Sequence, residues 1–384
     1  MWMICKPYIS LMKKCFYLIL IILLVISCNT NDNDSQPNQE SFDFYKGMDL
    51  SFLPEIESNG VVFKDENNQN IINNYAYLKS RGANIVRIRL WINYTSGLYN
   101  LNFVKDQALK AKAQGMDFLL DFHYSDTWAD PGSQDTPSVW ATQNITSMTE
   151  SIKNYSQNVL QELVLQNTPP AIVQIGNETN NGMLWPLGQI YSSSGENWDN
   201  YIQLTKAAIE GVLLASPESQ IMIHHAGIEG ADYFYEQLIS RNVNFDIAGL
   251  SYYPWWHNND IDFIENQLIT LSSDISQKIM IVETAYPFTL NWDDNTNNIV
   301  GLQNQLISTY PATPAGQRTF MLRIHNMLKN LPNDKGLGYC YWAPDWVAHH
   351  SNSSSNINGS SWENLALFNF NYEANTALEI YELD

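Results

Sequence analysis

Two glutamates stand where apolar side chains would be expected. Residues 172–178 read IVQIGNE and residues 279–286 read IMIVETAY, so Glu178 and Glu283 each close an apolar run of strand character. A carboxylate at the end of a buried strand costs free energy unless it has a task or a partner. Two of them suggest the carboxylate pair that cleaves a glycosidic bond. In such a pair one carboxyl, kept protonated, gives its proton to the leaving oxygen, while the other, ionised, attacks the anomeric carbon. Either glutamate alone could equally bind an arginine or a helix N-terminus. The repeated pattern, with Asn177 beside one of them, favours the chemical reading.

Such a pair needs a rigid frame. Apolar runs recur at 44–52, 85–91, 117–124, 172–178, 221–227, 247–254, 279–286 and 336–346. Amphipathic stretches alternate with them at 71–81, 103–114, 147–165, 198–215, 231–241, 261–272, 315–329 and 374–382. Near-continuous apolar strands alternating with helices make a parallel sheet covered by helices. Eight such units predict an α/β fold, a single (β/α)8 TIM barrel. Neither GxGxxG nor GxxxxGK[ST] occurs, which weakens a nucleotide-binding reading. The long non-helical stretches, 125–146, 179–197, 287–313 and 347–363, all follow strands. The barrel's C-terminal face, where barrel active sites lie, is therefore the elaborated one. Those stretches carry Trp128, Trp140, Trp185, Trp292 and Trp362, expected to line a cleft for an extended sugar chain.

Other strand ends bring polar or aromatic groups to the same height: Asp49, Arg89, His123 and Asp126, Tyr253, and Trp342. Arg87 and Arg89 alternate with isoleucine, so both point to one side of their strand. Arg89 is the expected partner that keeps a nucleophile ionised. His123 lacks a second histidine at ligand spacing, so a hydrogen bond to substrate or to a glutamate is expected of it rather than a metal.

Composition narrows the partner. The 384 residues are 45% hydrophobic and 12% aromatic and carry a net charge of −20. Residues 1–27 hold Lys6, Lys13 and Lys14 and no acid, so without them the charge is −23. So acidic a surface excludes nucleic acid and suits an uncharged polysaccharide. Lys13 and Lys14 precede FYLILIILLVIS and then Cys28, the order of a secretory signal. The run VISC resembles a bacterial lipobox, which implies cleavage before Cys28 and lipid on its thiol. We read residues 1–27 as a lipoprotein signal peptide, 28–42 as a flexible tether and 43–384 as the catalytic domain. NTNDND after Cys28 resembles the tract that sends some lipoproteins to the outer surface, so a lipid-anchored outer-membrane location at the cell surface is expected. Cys340 would then be left as a lone buried thiol, with no disulfide partner. No heptad pattern calls for an obligate oligomer, so a monomer is expected.

The motifs GMDLSFLPEIE, RIRLW, LLDFHYSDTWADPGSQ, VQIGNETNNGMLWP, VETAYP and YWAPDW span Gly47 to Trp346. Together they resemble the family 53 glycoside hydrolases, the endo-β-1,4-galactanases. The resemblance implies hydrolysis of β-1,4-galactan, such as pectic galactan and type I arabinogalactan, with retention and without a cofactor. It implies Glu178 as proton donor, Glu283 as nucleophile and Asn177 as a contact to the sugar's 2-hydroxyl. Arg89 and Tyr253 would support the nucleophile, and Asp49, His123, Asp126, Trp128 and Trp342 would shape the subsites. Some bacterial members hold a structural Ca2+ after strand seven. Here Asn291, Asp293, Asn295 and Asn297 keep the spacing, but Asp293 alone brings charge, which makes a weak site. Two other readings compete: a related retaining barrel acting on xylan, mannan or β-glucan, and a surface lipoprotein that binds glycan without cutting it.

Overall fold

Eight parallel strands close a barrel in the computed structural model, which describes residues 44–94, 97–349 and 359–384. They are β1 (Tyr45–Asp49), β2 (Ile85–Leu90), β3 (Asp117–Phe122), β4 (Ile172–Ile175), β5 (Gln220–Ala226), β6 (Ile247–Tyr252), β7 (Lys278–Thr284) and β8 (Gly336–Trp342). Each pairs with its sequence neighbours, and β8 closes on β1. Six fall inside the expected runs, and β5 and β7 each begin one residue earlier, at Gln220 and Lys278. The readings of residues 1–27, Cys28 and 28–42 lie outside the described residues.

The covering helices are α1 (Leu53–Ser58), α2 (Asn74–Ser80), α3 (Leu101–Ala113), α4 (Ile145–Leu165), α5 (Asp199–Ala215), α6 (Ala231–Ser240), α7 (Ile261–Asp274) and α8 (Pro314–Lys329). Polar caps start several of them: Asn73, Asn100, Asn144, Asp260 and Thr313 each accept a backbone N–H of the first turn. Two elements differ from expectation. The short α1 sits directly after β1, where Pro54 presets its first turn. The closing segment Thr376–Glu382 is a 3-10 helix.

The barrel interior is layered. Ile85, Leu119, Ile172, Met222, Ile247, Met280, Val282, Leu337 and the free thiol of Cys340 make an apolar floor. Two residues further along their strands, the same inward alternation brings Arg87, Asp121, Gln174 and His224 into a buried polar layer. Strand β7 breaks the alternation. Leu250 pairs with Ile281 but Ser251 with Glu283, so one residue is extra on β7. Such a bulge re-aims side chains. Val282 can pack into the floor while the very next residue, Glu283, still enters the polar layer.

Candidate active site

The polar layer is organised by Arg87. Its guanidinium meets Asp49 Oδ2 at 2.9 Å, Asp121 Oδ2 at 2.8 Å and Glu283 Oε1 at 2.8 Å. It also donates to Asn177 Oδ1 at 2.9 Å and Gln174 Oε1 at 3.2 Å. Burial disfavours its charge, but the three carboxylates outweigh that and keep it firmly protonated. The expectation for Arg89 is thereby corrected: the arginine on Glu283 is Arg87. Alternation along β2 puts both inward, but their heights differ, and the stagger of the strands sets which one reaches β7. Arg89 lies higher, its guanidinium 4.2 Å from the ring of Phe52, 4.0 Å from Tyr99 and 4.3 Å from Trp128. There it is a cation held among ring faces, against the back of the cleft tryptophan Trp128.

Glu283 also accepts the Tyr253 hydroxyl at 3.0 Å on Oε2. Glu178 comes from an elbow beyond β4 rather than from the strand itself. Gly176 has φ +76° and Glu178 φ +48°, both left-handed. A Cβ at Gly176 would lie 2.5 Å from Thr179 Cγ2, so glycine is required twice over at this turn. Gln134 Nε2 clasps the elbow through Asn177 O at 2.7 Å. The partly buried carboxyl of Glu178 then accepts Ser251 Oγ–H at 2.6 Å.

The two carboxyls differ in environment. Burial, and then the negative charge of Glu283, push Glu178 up to about 8. Burial also pushes Glu283 up, but Arg87 and the Tyr253 hydroxyl oppose it. Glu283 therefore ionises first and Glu178 keeps the proton, the division that an acid and a nucleophile need.

An open cleft of about 470 Å3 lies over this pair. Of the expected residues, Asp49, Arg89, His123, Trp128, Asn177, Glu178, Tyr253, Glu283 and Trp342 line it. Asp126 is not among them: its Oδ2 accepts the backbone N–H and the hydroxyl of Ser138, so it ties its loop instead of touching the cleft. His123 does not bond a glutamate. Its Nδ1 accepts from Trp91 Nε1 at 3.2 Å and Ala129 N at 3.1 Å, which leaves Nε2–H facing Asp121 Oδ2 at 3.1 Å. Asn177 is committed in the free protein, with Nδ2 donating to Ala129 O at 2.8 Å. Two of the five loop tryptophans meet the expectation. Trp128 and Trp362 line the cleft, joined by Trp256, Trp342 and Trp346. Trp140 is instead a core residue against Tyr155, while Trp185 and the exposed Trp292 lie off the cleft.

The loop read as a weak Ca2+ candidate presents no formed cage for that ion. Asp293, Asn295 and Asn297 are all exposed. Each oxygen of the buried carboxylates nearby already accepts a backbone N–H. Glu363 accepts Asp293 N at 2.7 Å and Asp294 N at 3.0 Å; Asp294 accepts Thr296 N at 2.6 Å and Ser360 N at 2.9 Å. Among the described residues no group of three or more His, Cys, Asp or Glu is placed to hold a metal. These carboxylate–amide bonds stitch 287–302 to 359–365 and so shape the cleft wall at Ile299, Ser361 and Trp362. Chelation with EDTA is expected to leave the thermal midpoint and activity unchanged. Glu363→Ala should cost about 1–3 kcal/mol by leaving the backbone N–H groups of Asp293 and Asp294 without their acceptor, measured by denaturant unfolding. A chelator-induced drop in midpoint would reverse this account.

The comparisons with known proteins agree with this geometry. The arabinogalactan endo-β-1,4-galactanase of Cellvibrio japonicus is 34% identical over 364 residues, covering 93% of each chain. The family 53 catalytic domain of Ignisphaera aggregans superposes with a TM-score of 0.83 at 36% identity, covering 90% of this chain and 97% of that one. A fungal β-1,4-galactanase structure gives a TM-score of 0.76 at 29% identity, over 88% and 99% of the two chains. The profile of glycosyl hydrolase family 53 matches residues 45–381, the whole barrel, and the chain belongs to that family.

Proposed function

We propose that the protein is a retaining endo-hydrolase of β-1,4-galactan, the backbone of pectic galactan and type I arabinogalactan. The observation that carries the mechanism is the unequal carboxyl pair: Glu283 between Arg87 and Tyr253, and Glu178 held protonated. In the first step Glu283 bonds to the anomeric carbon as the glycosidic C–O bond breaks, and the Glu178 proton passes to the leaving oxygen. In the second, ionised Glu178 takes a proton from water, which attacks the same carbon and releases Glu283. No metal is needed for either step. The galactanase relatives and the aromatic-lined cleft support the substrate; the cleft is open, as internal cleavage of a long chain requires.

Incubating residues 38–384 with linear β-1,4-galactan should release short galacto-oligosaccharides, resolved by chromatography. Cleavage of xylan, mannan or β-glucan instead would move the substrate to another family of glycans. No cleavage of any of them would leave a glycan-binding barrel. The pH profile of kcat/KM should be bell-shaped. Activity falls above about pH 8, where Glu178 loses the proton it must give. It falls on the acid side where Glu283 becomes protonated, above the ordinary carboxylate range because burial raises it. The lipid anchor at Cys28, an outer-membrane location and a monomeric state belong to the same proposal. They rest on the sequence, and labelling with radioactive palmitate in wild type and Cys28→Ala tests the anchor.

A further inference from the structure

Three polar residues in the barrel are not explained by the carboxyl pair alone: Gln174, His224 and Ser251, all buried on otherwise apolar strands. A buried polar side chain costs free energy unless its hydrogen bonds are met. Here the bonds lead in one direction. The Glu178 backbone N–H donates to His224 Nδ1 at 3.3 Å, and Gln174 Nε2 lies 3.1 Å from the same nitrogen. Asn177 Oδ1 also lies 3.0 Å from Nδ1, but that oxygen already accepts from Arg87 at 2.9 Å. The Glu178 backbone N–H can only donate, so Nδ1 is the acceptor and the imidazole hydrogen sits on Nε2. His224 Nε2 then faces Ser251 Oγ at 2.9 Å as donor. With that lone pair engaged, the single Ser251 hydrogen points to Glu178 Oε1 at 2.6 Å.

We propose that Ser251, oriented by His224, is a positioning residue for Glu178, which fixes Oε1 as the acceptor and so presents the acidic hydrogen on Oε2 to the glycosidic oxygen. The proposal rests on Glu178 being the proton donor. Its physical content is a rotational one. A glutamate on a left-handed elbow can turn its carboxyl, and a proton on the wrong oxygen is useless to the leaving group. One end of the chain is the elbow's own N–H and the other is its carboxyl, so His224 and Ser251 brace backbone and side chain together. The β7 bulge fixes the register that pairs Ser251 with Glu283, so the brace stands beside the nucleophile. His224 is well suited to this, because burial and then Arg87 push it well below the ordinary histidine range and keep it neutral.

The test compares Ser251→Ala, Ser251→Thr and Glu178→Gln on two substrates, β-1,4-galactan and an aryl β-galactobioside with a dinitrophenolate leaving group. Dinitrophenolate departs without a proton, so only the galactan reaction depends on how the acid is held. Ser251→Ala is expected to lower kcat on galactan about 10- to 30-fold, part of the 10²–10⁴-fold that general acid catalysis supplies. It should change glycosylation from the aryl substrate by less than about twofold, since no acid is engaged in that step. The alkaline limb on galactan should move to higher pH, because a lost O–H donor no longer favours the ionised carboxyl. The charges that face Glu178, on Glu283, Arg87 and Asp130, are untouched by the substitution. Ser251→Thr restores the hydroxyl and should restore rate and limb. Equal losses on both substrates with an unmoved limb would mean a merely structural role and overturn the proposal, as would an unchanged kcat. If instead Glu178→Gln keeps its galactan activity, the fault lies with the assignment of the acid.

Discussion

Replacing Glu283 by glycine abolishes turnover of galactan, lowering kcat by about 10⁵-fold or more, the scale on which an enzyme loses its nucleophile. The loss comes from two sources. No group remains to form the glycosyl intermediate, and the vacated space faces Arg87 and the Tyr253 hydroxyl, which stabilised the attacking charge. Azide should enter that space and attack an activated aryl galactoside directly, giving an α-galactosyl azide by a single inversion. Glu178→Ala should behave differently. It loses about 10²–10⁴-fold on galactan, the share of a general acid, but retains fast glycosylation from a dinitrophenyl leaving group. Azide would then react with the intermediate on Glu283 and give a β-galactosyl azide. The configuration of the two azide products, read by NMR, therefore assigns each glutamate its role. The same configuration from both variants would sink the two-step mechanism.

The sequence exposes what is repetitive and local. The eight strands were legible because buried parallel strands are continuous apolar runs, and Glu178 and Glu283 stood out because carboxylates interrupt two of those runs. The elaborated C-terminal face followed from loop length alone. What stayed hidden depends on register. Arg87 and Arg89 are equivalent by alternation, and only the stagger of β2 against β7 decides that Arg87 meets Glu283. The bulge that lets Val282 and Glu283 both face inward leaves no trace in IMIVETAY. His224, Gln174 and Ser251 did leave one, since each is a polar residue inside an apolar run, the same signal that singled out the glutamates. Loop tryptophans misled for the opposite reason: composition placed them after strands, but the path of each loop decides whether a ring meets sugar, as at Trp128, or core, as at Trp140.

The second large effect is expected at Arg87, and it separates electrostatics from packing. Arg87→Met keeps much of the volume but leaves Asp49, Asp121 and Glu283 facing one another without a cation. Removing one partner of a buried ion cluster costs about 3–5 kcal/mol, readable as a drop in denaturant midpoint at unchanged slope. Part of that cost is escaped by protonation. With the guanidinium gone, Glu283 holds a proton to higher pH, so the acid limb of kcat/KM moves up. Arg87 also lowers Glu178, so the alkaline limb should move up with it. At any given pH on the acid limb the variant thus holds more of its nucleophile protonated than the wild type, and activity falls by more than the folded fraction does. Arg87→Lys should recover part of the stability but little of the rate, because one ammonium cannot span three carboxylates as the planar fork does. If Arg87→Met were inactive yet kept both limbs in place, its effect would be on the shape of the site, and the ionisation of Glu283 would have to be credited to Tyr253 alone.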